Sequence, residues 1–347
     1  MSNERDRAFS RALLVSFVVL AVTLVLSVAV GPIFIPPGTV LSLLAGKLGG
    51  TALPAQATEA FSTILFQIRL PHALLILLTG AALAGSGASY QGLFRNPLAD
   101  PYLIGVAAGA GLGAVIAMSI HWPADLLGLY VIPAAAFGGA LTTVLIVYSL
   151  ARFGRSLPTP TLILAGVAIS SFATSVTSFL MLRSNEELRR ATGWLLGGSL
   201  MSGWQPVVAV LPYVALGLGV LLTSGHALNV LQFGEEQASQ MGLPAERVKF
   251  LLILAASLTA ASAVAFSGII GFIGLIVPHL VRLLWGADYR RLIPLSIISG
   301  GSALLIADLL SRVVLAPQIV PVGIVTALAG APFFLWVLRR AKNQGYW

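Results

Sequence analysis

The sequence predicts an all-α polytopic membrane protein of ten transmembrane helices, forming a single domain over residues 1–347. Three observations carry this expectation. Of the 347 residues, 57% are apolar and only 9% are Asp, Glu, Lys or Arg, whereas a soluble domain usually carries about a quarter charged residues. The apolar residues fall in blocks of about 20, the length a helix needs to cross the hydrocarbon core. Short polar stretches separate the blocks, as expected where each span must bond its own backbone. The net charge of +8 is scattered singly between blocks, which assigns it to membrane orientation and excludes a nucleic-acid surface. With no Cys and only four distant His (His72, His121, His226, His279), disulfides and thiolate metal sites are excluded, and no bound metal or cofactor is expected on this chain.

The first block, at about 12–34, follows Arg5, Arg7 and Arg11. A signal peptide has the same basic start, but the length of the block and the absence of a small-residue cleavage site favour a retained span. After Pro36-Pro37 a mixed stretch runs to about Gln67, in which GTVLSLLAGK is read as a short interfacial helix within the longest early loop. Further spans are expected at about 71–94, 101–119, 129–152, 161–182, 205–223, 248–269, 271–285, 292–311 and 322–338. Residues 248–285 are too many for one span and enough for two, and Gly268 and Gly271 supply the break. With the N-terminus inside, ten spans place Lys47, Arg69, Arg183, Arg189, Arg190 and Arg312 outside and the remaining 14 of the 20 Lys and Arg inside. That bias predicts both termini in the cytoplasm and a multi-pass chain in the cytoplasmic (inner) membrane.

Gly105, Gly109 and Gly113 fall four apart, a small-residue face that lets a neighbouring helix approach closely. The same residues could be read as a dinucleotide loop, but no strand precedes them. No P-loop, H-E-x-x-H, G-x-S-x-G or paired intramembrane carboxylates occur, so an intramembrane enzyme has no visible machinery. A gradient-driven carrier needs ionisable groups near the midplane, and the spans hold almost none. Asp308 is the exception; Arg312 lies four residues later and can pair with it on one helix face or serve a function of its own. If neither ATP nor an ion gradient is handled here, directional transport needs energy from a partner. The segment HALNVLQFGEEQASQMGLPAERVK, in an inside loop at about 225–248, offers a place to dock one. Its Leu228, Leu231 and Met241 alternate with Glu235, Glu236 and Gln240. An interfacial helix on lipid is the other reading, made less favourable by two adjacent Glu.

RLPHALLILLTGAALAGSGASYQGLFRNPLADPYLIGVAAGAGLGA (69–114) resembles the FecCD-type permease family of bacterial ABC importers for iron chelates, haem and cobalamin, which have the type II importer fold. LILAGVAISS, GIIGFIGLIVPHLVRLLWGADYRRLIP and PVGIVTALAGAPFFLWVLRR resemble the same family, in the expected order and over nearly the whole chain. The resemblance implies a second permease subunit, with a homodimer the more economical arrangement, two cytoplasmic ATPases holding ATP and Mg, and a periplasmic or lipoprotein substrate-binding protein. It implies binding-protein docking at Arg69 and Arg312, with His72 standing where relatives carry a further Arg, which makes that contact weaker or pH-dependent. It places ATPase coupling on Leu231, Gly234, Glu235, Glu236, Met241 and Gly242, and an inner gate at Thr159 and Pro160. Pro158 and Pro160 serve equally as a plain helix start. Relatives carry an acid near the final P-V-G, where this chain has Gln318 and Ile319; His279 in VPHLVR is a family motif residue that is read as structural. The expected function is the permease subunit of an ATP-driven chelate importer, with a gradient-driven carrier of a small solute as the alternative.

Overall fold

A computed structural model of the chain describes residues 2–31, 33–49, 57–120, 126–152, 154, 157–182, 185–199 and 201–343. His121, Arg155 and Arg183 lie outside the described residues. In chain order the helices are α1 (Ser2–Ala29), α2 (Pro37–Gly49), α3 (Ala57–Thr63), a π-helical turn (Ile64–Arg69), α4 (Leu70–Leu93), a 3-10 turn (Pro101–Ile104), α5 (Val106–Met118), α6 (Leu126–Ala151), α7 (Thr159–Met181) and α8 (Asn185–Leu195). The second half contains α9 (Trp204–Thr223), α10 (Gly225–Leu231), α11 (Glu235–Gln240), α12 (Ala245–Ser267), α13 (Ile273–Trp285), α14 (Tyr289–Val313) and α15 (Val322–Asn343). Seven of the described helices are long and apolar enough to cross a membrane, and three shorter apolar ones, Val106–Met118, Ile273–Trp285 and Val322–Val337, fill the remaining predicted blocks.

The second span departs most from expectation. It runs continuously over Ala60–Leu93, so its first turns lie in the stretch predicted as loop. Pro71 cannot donate to the carbonyl one turn earlier, and the wider π-helical turn just before it keeps the rod unbroken. The break predicted between α12 and α13 is present: Gly268 adopts φ +74°, and the chain re-enters a helix after Phe272.

α4 forms the centre of the bundle, with nearly every residue from Thr79 to Leu93 buried. A Cβ on Gly80 would lie 2.3 Å from the Gly300 carbonyl of α14, and one on Gly87 would lie 1.9 Å from the Gly274 carbonyl of α13. Glycine therefore sets those two helix separations. Gly109 and Gly113 do the same between α5 and α6, where an added Cβ would meet Gly139 O and Ala135 O. Gly105 abuts Thr143 of α6 from just ahead of α5. α5 and α13 are each 13 residues long, short of the roughly 20 a span needs, so non-helical backbone leads into both. Such backbone survives at depth only where protein satisfies it. Tyr102 does so here: its hydroxyl donates to Ile270 O at 2.8 Å and accepts from Ile270 N at 3.3 Å.

Candidate functional site

Three regions bear on the expected function, one at each end of the bundle and one along an exposed helix face. At the end expected outside, Asp308 of α14 is buried and meets a guanidinium and an imidazole. Its Oδ2 lies 2.8 Å from Arg312 Nη2, one helical turn on, and its Oδ1 lies 2.8 Å from His72 Nε2 at the start of α4. Arg312 also donates to Val30 O (3.0 Å), Ser27 O (3.1 Å) and Ser27 Oγ (3.0 Å). Arg69, only 8% exposed, donates to Val28 O (2.8 Å) and Ala29 O (2.9 Å) and bonds Ile33 O. Both guanidinium groups therefore close the C-terminal end of α1, where carbonyls lack helical partners and positive charge is favourable. A Cβ on Gly31 would lie 2.8 Å from Arg69 Nη2, so glycine leaves room for this cap. The expected Asp308–Arg312 pair forms. The part played by His72, and the inward direction of Arg69, depend on tertiary packing.

Above this cluster a cavity of about 450 Å³ is lined by His72, Arg189, Arg190, Asp308, Arg312 and Ile319 among others. Arg189 and Arg190 come from α8, a helix that lies between the spans predicted at 161–182 and 205–223. It buries Ala191 and Trp194 while both arginines stay exposed. Its amphipathic spacing is the signal that could have revealed it.

The second region is the exposed face of α7. Leu164, Val167, Phe172 and Phe179 are exposed there, interleaved with exposed Ser171, Thr174, Ser175 and Ser178. Ser171, Ser175 and Ser178 donate to carbonyls four residues earlier, at 2.8–2.9 Å. The hydroxyls therefore need no water to be satisfied, and the face suits either lipid or a lightly polar path. Asp100 reaches a groove beside it lined by Tyr102, Val167, Ser170, Ser171 and Thr174. Burial pushes the Asp100 carboxyl up to about 6, against the opposing effect of the hydrogen bond it accepts from Tyr102 N at 2.8 Å. Asp100 sits in the turn just ahead of a predicted span, where nothing in the sequence pattern marks its burial.

The third region is the end expected inside. α10 and α11 form a hairpin joined through Gly234, at φ +106°, and closed after Met241 by Gly242, at φ +86°. Leu228 and Leu231 are buried. Leu231, expected at the coupling contact, instead seats the hairpin in the core, because the apolar face of α10 turns inward. Exposed Phe233 and Met241 carry the outward apolar surface, beside exposed Glu236. Gln232 Nε2 donates to Gly92 O at 2.9 Å, and Asn229 bonds both Asp288 Oδ1 (2.6 Å) and Tyr289 N (2.9 Å). These bonds fasten the hairpin to the ends of α4 and α14. Thr159 opens α7 behind Pro158, partly exposed, and Pro160 beside it is exposed. His279 sets its ring edge-on to Phe333, with centroids 6.2 Å apart. Among the described residues no group of three or more His, Asp or Glu could hold a metal ion.

The FecCD transport family model matches residues 19–340. The uncharacterised ABC transporter permease protein YvrB of Bacillus subtilis (strain 168) is 39% identical over 335 residues, covering 96% of this chain and 95% of that protein. The cobalamin import system permease protein BtuC of Halobacterium salinarum is 47% identical over 281 residues, covering 81% of this chain and 74% of that protein. A solved structure described as an inward-facing conformation of a transporter assigned to the metal-chelate type of ABC transporters superposes with a TM-score of 0.83 at 30% identity, over 95% of this chain and 99% of its own. Helix order, the glycine-set packing of α4 and agreement over nearly the full length lead to one assignment: the chain belongs to the FecCD transport family.

Proposed function

We propose that this chain is the permease subunit of an ABC importer that carries a metal chelate, of the iron-siderophore, haem or cobalamin kind, across the cytoplasmic membrane into the cell. The observation that carries the reading is the face of α7. Beginning at Thr159, it presents a column of self-satisfied hydroxyls among apolar side chains. Such a surface lets a large chelate slide without holding its metal, and it has no charge to trap one. Two copies facing each other through α7 would enclose the path, with Thr159 and Pro160 at its inner constriction. A substrate-binding protein would dock over the outer cavity. His72, Arg189, Arg190 and the open edge of Arg312 would meet it, with Arg69 bracing the end of α1 beneath. Two ATPase subunits, holding ATP and Mg, would bind Phe233, Gly234, Glu235, Glu236, Met241 and Gly242, one to each hairpin.

The alternative, a gradient-driven carrier, has one observation in its favour: Asp100, a carboxyl raised to about 6 beside the α7 face. Asp308 does not serve that reading, since Arg312 already pairs with it and the His72 ring bonds its other oxygen. The test measures ATP hydrolysis by the reconstituted permease–ATPase complex with a binding protein loaded in turn with cobalamin, hemin and a ferric siderophore. Stimulation by one loaded form and not by the empty protein is expected, and it names the cargo class. Hydrolysis indifferent to every loaded form contradicts the chelate-importer reading.

A further inference from the structure

One buried ammonium joins the docking hairpin to the start of α7. Lys249 lies in the second turn of α12 and is 2% exposed. Its Nζ donates to Glu235 Oε2 at 2.8 Å and to Leu157 O at 2.9 Å, and it pairs with Glu246 Oε1 at 2.8 Å. An ammonium has three donors, and here each faces an acceptor from a different part of the chain. Glu235 belongs to α11, Glu246 to the first turn of α12, and Leu157 to the backbone two residues ahead of Thr159.

The two ends of this link differ in access. The side chain of Glu235 is 41% exposed while that of Lys249 is buried, so a cation carried by a docked protein can compete for the carboxylate without reaching the ammonium. Leu157 is buried and is followed by Pro158 at φ −65° and ψ 126°, with Pro160 two residues on. Proline fixes its own φ and restricts the residue before it. A displacement of the Leu157 carbonyl is therefore passed to the first turn of α7 rather than absorbed in the joint. Withdrawing Glu235 removes one of two carboxylates from a buried ammonium and leaves a donor unpaired, which is unfavourable even with Glu246 in place, and gives Lys249 reason to follow Glu235 when the hairpin moves.

We propose that Lys249 is a positioning residue that transmits docking at the α10–α11 hairpin to the setting of the inner end of α7. The proposal rests on the permease reading above and adds to it a route within this chain. The experiment uses the full permease–ATPase complex carrying Thr159→Cys, the only thiol in a permease with no cysteine of its own. Labelling by a membrane-impermeant thiol reagent is compared between nucleotide-free and ATP-bound states, alongside ATPase copurification. In Lys249→Met the ATPase should still copurify, while the labelling difference between states falls by about fivefold or more, as loss of a typical coupling energy requires. Lys249→Arg, which keeps charge and donors, should restore it. A labelling difference equal to the parent's in a copurifying Lys249→Met complex overturns the proposal. Should Lys249→Met alone fail to fold, Lys249→Met combined with Glu246→Gln removes the ammonium together with the charge of its partner on the same helix and leaves the outward surface of the hairpin intact. The same loss is expected, and a parent-like difference in complexes that retain the ATPase overturns it. The parent separates the two levels: absence of ATP-dependent uptake there contradicts the permease reading, whereas uptake with an unaltered gate in Lys249→Met contradicts the relay alone.

Discussion

Two pairs of arginines at the end expected outside have opposite fates. Arg69 and Arg312 turn inward and bind the last carbonyls of α1, with Asp308 and His72 completing the cluster. Arg189 and Arg190, on α8, are exposed at the rim of the same cavity. A guanidinium offers five donors in a rigid fork. When its oxygen partners lie within the chain it is a brace, and where none is seen among the described residues, as for Arg189 and Arg190, it is open to a partner. Position at the mouth alone therefore does not make an arginine a docking residue. The end expected inside repeats the contrast on the acidic side: Glu235 is tied to Lys249 while Glu236 is exposed.

The largest effect that can break this comparison is at Asp308. Asp308→Ala leaves Arg312 and His72 facing an emptied, buried position, and a loss of about 3–5 kcal/mol in stability is expected. Asp308→Asn combined with Arg312→Gln removes the charges together and should cost clearly less. Thermal unfolding in detergent distinguishes them, and equal losses would mean that the cluster is not held by its charges.

Asp100 gives a smaller effect with a defined sign. Its folded pKa lies above the unfolded one, at about 6 against an ordinary value of 3.8, so the folded state binds the proton more tightly. The stabilisation from this group is fully present below about pH 4 and is lost as pH rises towards 6. Asp100→Asn keeps an acceptor for Tyr102 N and removes the ionisation. The variant should flatten the fall in stability between those pH values and be more stable than the parent by about 1–2 kcal/mol at pH 7. An unchanged pH profile would show that Asp100 is solvated.

The smallest effect on stability is expected at the exposed pair. Arg189→Glu with Arg190→Glu should alter stability by no more than about 0.5 kcal/mol. At low salt it should slow association of the binding protein by about tenfold, with the difference shrinking as salt screens it. Surface-immobilised kinetics at two ionic strengths reads this. Unchanged association would leave the outer cavity without its cationic docking role.

The features legible in the sequence are those written at helical spacing. Gly109 and Gly113 announce close packing four residues apart, Asp308 and Arg312 announce a pair, and Gly268 with Gly271 marks the break that makes ten spans of nine. What escaped depends on distant partners. His72 meets Asp308 across 236 positions, Lys249 reaches Leu157 across 92, and Arg69 turns inward because the end of α1 happens to lie beside it. The start of the second span was misplaced because a π-helical turn ahead of a proline has no simple periodic signature. α8 was missed because its charged residues look like a loop until their spacing is counted. Leu231, which the family resemblance places at the coupling contact, is buried, and a resemblance does not tell which face of a short amphipathic helix the core takes.

Uptake of the stimulating chelate into proteoliposomes tests the central claim, that energy enters through the inner hairpin and not through an ion gradient. Permease, ATPase and loaded binding protein are assembled with ATP and without a proton gradient, and then with a gradient and without ATP. The account predicts accumulation in the first case alone, preserved in Asp100→Asn. Accumulation driven by the gradient without ATP, and lost in Asp100→Asn, would contradict it.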